Sequence, residues 1–433
     1  MENFLDSKII VFKFGGASVK DAAGVQNLQR IVEQYKDRKL FVVISAVGKT
    51  TNLLEKVLDA YFYGQTDWKP LFNQLKDNHL EIARALTEHN DRIIAKLDSV
   101  FVQLEQKLQS PHSDRYEYEY DQIVSFGEIL STKLISTYLN IVGVRNQWLD
   151  ARRMLLTDKN FMEAKIDWYA SETALKNAVS AVTLKHDENL LITQGFIAGT
   201  GDGCATTFGR EGSDYSAAII AYLLDAESVT IWKDVPGLLN ADPKFFPEAV
   251  KLDSISYEEA IELSYYGATI IHPKTLKPLQ NKQIPLYIKP FLHPEESGSV
   301  ISFAGQKDEI PSYIFKRNQL LITIFPKDFS FITVDNLSKI FAILSKYGVK
   351  VNLMQNTALS FSICTENIPR NITKVVNELS GDFVIKYNEN MELVTIRHYS
   401  EDIVNKVIGG RKVYAEQRSR VTVQVVVKEE HPL

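Results

Sequence analysis

The stretch LFVVISAV, residues 40–47, constrains the fold more than any other part of the chain. It carries no charge, and Ser45 is its only polar side chain. A strand covered on one face alternates apolar and polar residues, whereas a parallel strand buried on both faces reads as a continuous apolar run. IIVFKF at 9–14, LLITQGFIA at 190–198, SVTIWKD at 228–234 and IPLYIK at 284–289 have the same character, and NQWLD at 146–150 is a shorter candidate. Between them lie segments with apolar residues at helical spacing, among them AAGVQNLQRIVEQYKD, SDYSAAIIAYLLDA and SYEEAIELSYYGA. Strand–helix alternation over roughly 300 residues predicts an α/β domain with a mainly parallel sheet, in which ligands bind at the carboxyl ends of strands. Residues 53–109 are mostly polar, with apolar positions recurring at three and four and a break near 64–70. They read as a helical insertion or lid.

The pattern changes at DEIPSY, 308–313. LLITIF, DNLSKIFAILSKYG, VKVNLMQN, LSFSICTE, a helix over 369–379 and DFVIKYN follow the β-α-β-β-α-β order of a ferredoxin-like module. MELVTIRHY, EDIVNKVIG, RKVYAEQRS and RVTVQVVV repeat most of that order. Neither half has a catalytic-looking cluster, and dimerisation and effector sensing both remain open. At 433 residues the chain is too long for one core. A net charge of −5 speaks against a nucleic-acid surface. Cys204 and Cys364 lie far apart and form no C-x-x-C, so neither a disulfide framework nor a metal cluster is expected, and a reducing compartment fits. No signal-peptide pattern and no run of about 18 apolar residues is present, so a cytosolic protein that does not cross a membrane is the expectation.

Four short stretches have residues suited to chemistry. In KFGGAS, Lys13 stands at a strand end before Gly15 and Gly16, an arrangement that can put an ammonium and several amides on one phosphate, or can be only a tight turn. ISAVGKTTN follows a strand with a hydroxyl-rich loop, where Ser45, Thr50 and Thr51 can bind an anion or cap a helix. In SFGEILS, Glu128 opens a helix, where it suits either the dipole or a substrate amine. TTFGREGSDYSAA is the most informative: Arg210 suits a bidentate grip on a carboxylate, and Gly212 and Ser213 open a helix whose amides are free for an anion. Asp214 sits awkwardly beside an anion unless it orients lysines or a magnesium ion. WKDVPGLLNADPK adds Lys233, Asp234 and Lys244 around turns that can frame a nucleotide.

Taken together, these motifs resemble the aspartate kinases of the amino-acid kinase family over almost the full length. KFGGASV, GREGSDYSAA, IWKDVPGLLNADPK and SYEEAIELSYYGATIIHPKT match the family's ordered motifs, and the two C-terminal modules look like its paired ACT domains. The resemblance implies a three-layer catalytic domain over 1–306 and a regulatory region over 307–433, whose first module, about 318–388, is inserted in the second. It implies MgATP-dependent phosphorylation of the L-aspartate side chain to 4-phosphoaspartate, the first step toward lysine, threonine, methionine and diaminopimelate. By position, Lys13 with the Gly15 and Gly16 amides would neutralise the transferred phosphoryl group, and Asp214 would organise lysines. Arg210 would hold the α-carboxylate, Glu128 the amine, and Ser45, Thr51, Gly212 and Ser213 would complete that pocket. Lys233, Asp234, Leu239, Lys244 and Thr269 fall where the family contacts ATP. No residue is assigned as a metal ligand. ACT pairing implies a homodimer at least, and an amino-acid effector is a further implied partner.

Several positions depart from the family. Glu211 replaces a glycine and is expected to point outward; Leu239 stands for a tyrosine. Thr269 stands where the family has a lysine, and Lys233 where it has a threonine, so Lys233 is expected to supply the missing charge. In the first module Asp335 replaces a common glycine, and Asn352 stands where lysine-binding members often have aspartate. A kinase of another carboxylate, and a catalytically silent sensor, are the competing readings; the GREGSDY–ACT combination opposes the first, and intact Lys13, Glu128, Arg210 and Asp214 oppose the second.

Overall fold

The computed structural model describes residues 8–183, 189–268, 271–305, 310–328 and 330–429. The chain divides into two compact units: Met1–Leu238 with Lys251–Ile261 and Ile270–Lys307, and Leu239–Val250 with Glu262–Thr269 and Asp308–Leu433.

The strands before the second unit's sheet are β1 (Ile9–Phe14), β2 (Lys39–Ile44), β3 (Gln147–Trp148), β4 (Leu190–Gln194), β5 (Ile197–Gly199), β6 (Ala205–Thr207), β7 (Ser228–Lys233), β8 (Leu238–Leu239), β9 (Lys251–Leu252), β10 (Ser254–Ser256), β11 (Leu286–Pro290) and β12 (Ser299–Ser302). Eight of them form one sheet in the order β10-β12-β11-β7-β1-β2-β4-β3. Every pairing is parallel except β11 with β12. All six residues of β1 are buried, as the unbroken apolar run of a doubly covered strand requires.

The helices of this part are α1 (Ala22–Glu33), α2 (Thr50–Tyr63), α3 (Lys69–Leu86), α4 (Asp91–Gln109), α5 (Tyr116–Val124), α6 (Phe126–Ile141), α7 (Trp168–Thr183), α8 (Gly212–Leu223), α9 (Tyr257–Tyr266) and α10 (Pro273–Lys282). Helices of the first unit flank the sheet in the three-layer arrangement of the amino-acid kinase fold, with α8 packed on β1 and β7 and α6 on β4. Helix α8 is buried on almost every side, which its run of Ser216, Ala217, Ala218 and Ala221 permits by letting backbones approach closely.

Parallel order brings the carboxyl ends of β7, β1, β2 and β4 to one edge. Cross-strand bonds continue past the ladder: Ser45 N donates to Phe14 O at 3.1 Å, and Gly195 N to Ile44 O at 3.0 Å. Lys13 stands in register with Val43 on one side and Ile231 on the other. Residues remote in sequence therefore meet at a single rim.

The stretch read as an insertion or lid forms α2 to α4. Its break is Gly64, which ends α2 in the left-handed region at φ 63°. The apolar faces of these helices do not form a separate core: Phe72, Leu75, Leu97, Phe101 and Leu104 belong to one cluster with Phe12, Phe14 and Val42 of the sheet. Within it His79 is fully buried, its Nδ1 donating to Leu75 O at 2.8 Å. Burial lowers its pKa from 6.5 to about 4, the Leu75 bond opposing. A base whose folded pKa is depressed contributes stability above its unfolded pKa and loses it as pH falls toward the folded one. His79→Leu is therefore expected to flatten the fall in unfolding free energy between about pH 6.5 and 4, read from urea titrations at several pH values.

The second unit's sheet uses β13 (Ser312–Pro326), β14 (Val351–Asn356), β15 (Phe361–Glu366), β16 (Phe383–Arg397), β17 (Val413–Arg418) and β18 (Thr422–Lys428), with α11 (Val334–Lys346), α12 (Pro369–Leu379) and α13 (Glu401–Ile408). Its order is β14-β15-β13-β16-β18-β17, antiparallel throughout. Two long strands, β13 and β16, each serve both halves, and irregular register near Lys316 to Leu321 marks the change of module. One half packs Ile322, Ile340, Ile363 and Val375 into a core under α11 and α12; the other packs Val394, Val404, Ile408 and Val425 under α13. These are two ferredoxin-like modules of the ACT type. No helix among the described residues is long and apolar enough to cross a membrane.

Candidate active site

Three strand ends and the start of α8 line a cavity of about 870 Å³ in the first unit. Asp214, in the first turn of α8, is 4 % exposed. Lys13 Nζ lies 2.6 Å from its Oδ1, and Lys233 Nζ 3.7 Å from its Oδ2. Burial alone would raise the Asp214 pKa, but the charges of Lys13 and Lys233 outweigh it and hold the carboxyl below its ordinary range. The carboxylate thus keeps two mutually repelling ammoniums side by side. This resolves the awkwardness of an acid at an anion site: Asp214 faces the lysines.

Glu128, in the first turn of α6, is 2 % exposed. Its Oε1 accepts from Ala46 N at 3.4 Å, and its Oε2 has no hydrogen-bond partner among the described residues. Burial pushes its pKa up to about 8, with backbone hydrogen bonds opposing. A buried carboxylate with an unpaired oxygen on a cavity wall is built to receive a cation.

The glycines of KFGG have separate reasons. Gly16 lies against the loop after β2: Gly48 N donates to Gly16 O at 2.9 Å, and a Cβ on Gly16 would come within 2.4 Å of Ala46 O. Gly16→Ala is expected to force the two loops apart, costing about 1–3 kcal/mol of stability and lowering turnover, as denaturant titration and initial rates would show. At Gly15 the nearest atom to an added Cβ is Lys13 Nζ, at 3.5 Å.

The expectation that Glu211 points outward is corrected. Its carboxylate lines the cavity and accepts from His272 N at 2.8 Å, just before α10. Half-buried Lys274 lies close enough to Glu211 and Glu163 for their charges to oppose the burial that lowers its pKa. The physical reason is local: an amide at a helix start and a half-buried ammonium attract the carboxylate more than solvent does. Glu211 has φ 54°, the left-handed region where glycine is free and other residues are strained.

The cavity gathers Lys13, Gly16, Ser45, Thr51 and Glu128 with Arg210, Gly212, Ser213, Asp214 and Lys233. Gly15 and Asp234 are outside its lining. Leu239 and Lys244 belong to the second unit, and Thr269 lies outside the described residues. Sequence reasoning missed Tyr120, Asn160, Phe161, Met162, Glu163 and Phe196, which also line it. The segment at 160–163 has no motif; only its approach to the loop after β6 reveals it. Asn352 is bonded within the second unit, accepting from Lys316 Nζ and donating to Gln319, both at 2.9 Å.

A mainly parallel sheet with paired lysines on one carboxylate at its carboxyl edge suits the charge neutralisation that phosphoryl transfer needs. A model of the amino acid kinase family matches residues 8–290, and the chain belongs to that family. Over 405 residues it is 30 % identical to the lysine-sensitive aspartokinase 3 of Escherichia coli K12, covering 90 % of this chain and 87 % of that one. It is similar to the crystal structure of E. coli aspartokinase III in complex with lysine and aspartate, with a TM-score of 0.80, 27 % identity and coverage of 98 % and 97 %. The same enzyme with aspartate and ADP matches with a TM-score of 0.80, 25 % identity and coverage of 98 % and 97 %.

Proposed function

We propose that the chain is an aspartate kinase, which moves the γ-phosphoryl group of ATP to the side-chain carboxylate of L-aspartate and yields 4-phospho-L-aspartate for lysine, threonine, methionine and diaminopimelate synthesis. The observation that carries this reading is a single cavity joining an ammonium pair held by Asp214 to the unpaired carboxylate oxygen of Glu128. Such a cavity suits a polyphosphate at one end and an amino acid's ammonium at the other.

The substrate carboxylate is itself the nucleophile and is ionised at neutral pH, so no general base and no covalent enzyme intermediate is needed. Lys13 spreads its charge over the transferred phosphoryl group, with the Gly15 and Gly16 amides beside it, where positioning and charge neutralisation dominate catalysis. Asp214 fixes Lys13 and Lys233 for that task. Arg210 grips the α-carboxylate, Glu128 the α-amine, and Ser45, Thr51, Gly212 and Ser213 close the pocket. Lys233 and Asp234 are assigned to the nucleotide. Among the described residues no cluster of three or more His, Cys, Asp or Glu could cage a metal. A magnesium ion carried on the phosphates, retaining its waters, fits such a site and would supply further charge neutralisation.

Residues 1–306 are assigned to catalysis and 307–433 to an ACT pair that senses an amino acid, its first module over about 318–388 inserted in the second. ACT pairing suits a homodimer, and a biosynthetic role suits the cytoplasm. The test is ADP release from protein, MgATP and single amino acids. Aspartate alone should support turnover; release with only glutamate or acetylglutamate, or none at all, would overturn the proposal. Added lysine, threonine or methionine would expose feedback.

A further inference from the structure

Asp121 of α5 belongs to no motif and does not line the cavity, yet it is completely buried. Both of its oxygens are used. Thr207 Oγ1 donates to Oδ1 at 2.7 Å, and Thr207 N to Oδ2 at 3.0 Å. Met162 N approaches both oxygens, at 3.2 and 3.0 Å. These donors come from two segments that wall the cavity. Thr207 ends β6, three residues before Arg210. Met162 lies in the 160–163 loop and has φ 67°, a left-handed conformation that a non-glycine residue holds only when its surroundings enforce it. The two segments also meet directly: Ala164 N donates to Thr207 O at 3.0 Å, and a Cβ on Gly209 would come within 2.9 Å of Met162 O.

Arg210 is exposed, and among the described residues its side chain has no ion pair or hydrogen bond. Its placement is therefore inherited from the backbone between Thr207 and Gly212, which Phe208 N fixes to Phe196 O at 2.9 Å, Lys274 Nζ holds at Phe208 O, and buried Asp121 anchors at its start. We infer that Asp121 is the positioning residue for amino-acid binding: it pins the Arg210 arm and the 160–163 loop to each other, and so sets affinity for the substrate α-carboxylate without touching it. This rests on the reading of Arg210 as the carboxylate-binding residue.

The test separates the two. Asp121→Asn keeps the shape but offers one acceptor oxygen to donors that now use two, and turns an N–H toward them. In the full-length protein it should raise KM for aspartate about 10- to 100-fold, with KM for ATP within about twofold and a smaller effect on kcat. Thr207→Val removes one of the four bonds and should raise the same KM about 3- to 10-fold, keeping the inference testable if the asparagine variant does not fold. Equal losses toward both substrates, tracking a lowered Tm, would show a merely structural role and overturn it; so would an unchanged aspartate KM. Arg210→Ala is the control. If it leaves aspartate KM unaltered, the assignment of Arg210 fails; if it raises KM while the Asp121 and Thr207 variants do not, only the positioning role fails.

Discussion

Lys13→Ala is expected to lower kcat by about 10²- to 10³-fold, the usual consequence of removing one preorganised charge from a transition state. Its ammonium is the closer of the two on Asp214, at 2.6 Å against 3.7 Å for Lys233. The substitution also removes a partner from a buried carboxylate. Leaving such a charge uncompensated costs about 3–5 kcal/mol, and the remaining Lys233 should hold the loss toward the lower end or beneath it. The Asp214 pKa, now held below its ordinary range, should rise. Melting curves and single-turnover rates read the two effects separately. Lys233→Ala tests the exchange of residue types between positions 233 and 269. It should weaken turnover with MgATP less than Lys13→Ala but clearly; if it leaves activity untouched while Lys13→Ala abolishes it, Lys233 does not stand in for the family's lysine.

Glu128→Gln should divide stability from function. In the unliganded protein, burial raises the Glu128 pKa from 4.5 to about 8. A folded pKa above the unfolded one means that stability is fully present below about pH 4.5 and is lost as pH rises through about 8, because ionisation in the folded state is penalised. Glutamine cannot ionise. The variant should melt higher than the parent at about pH 8.5, and its Tm should vary less with pH across that window. Aspartate should stabilise the parent by pairing its ammonium with the carboxylate, and the variant much less. KM for aspartate should rise about 10- to 150-fold, the worth of a charge-assisted hydrogen bond. A variant less stable at high pH, with an unchanged KM, would remove Glu128 from the amine site.

Much of this was legible beforehand for an identifiable reason. Burial on both faces leaves a continuous apolar run, so LFVVISAV announced a parallel strand, and five such runs announced the sheet. Phosphate and carboxylate recognition need particular residue types at strand ends and helix starts, so Lys13, Arg210 and Asp214 stood out. Other positions were silent or misleading. Glu211 was expected outward because its sequence neighbours show only an arginine; the amide that captures it comes from His272, 61 residues on. Asp121 lies in YEYEYDQIV, which matches none of the motifs, and nothing in that stretch marks it as buried. Its role arises only where β6 and the 160–163 loop converge on α5.

What the sequence determined by itself was the alternation of elements, the change at 308–313 and the residue types gathered at strand ends, because these follow from local burial and local chemistry. What only the tertiary structure decided was pairing. It joined Lys13 and Lys233 on one carboxylate, left Glu128 Oε2 unpaired in a buried wall and anchored Thr207 and Met162 on Asp121. Those outcomes depend on distances between segments far apart in the chain, and on how little water reaches them, which spacing along a sequence does not encode.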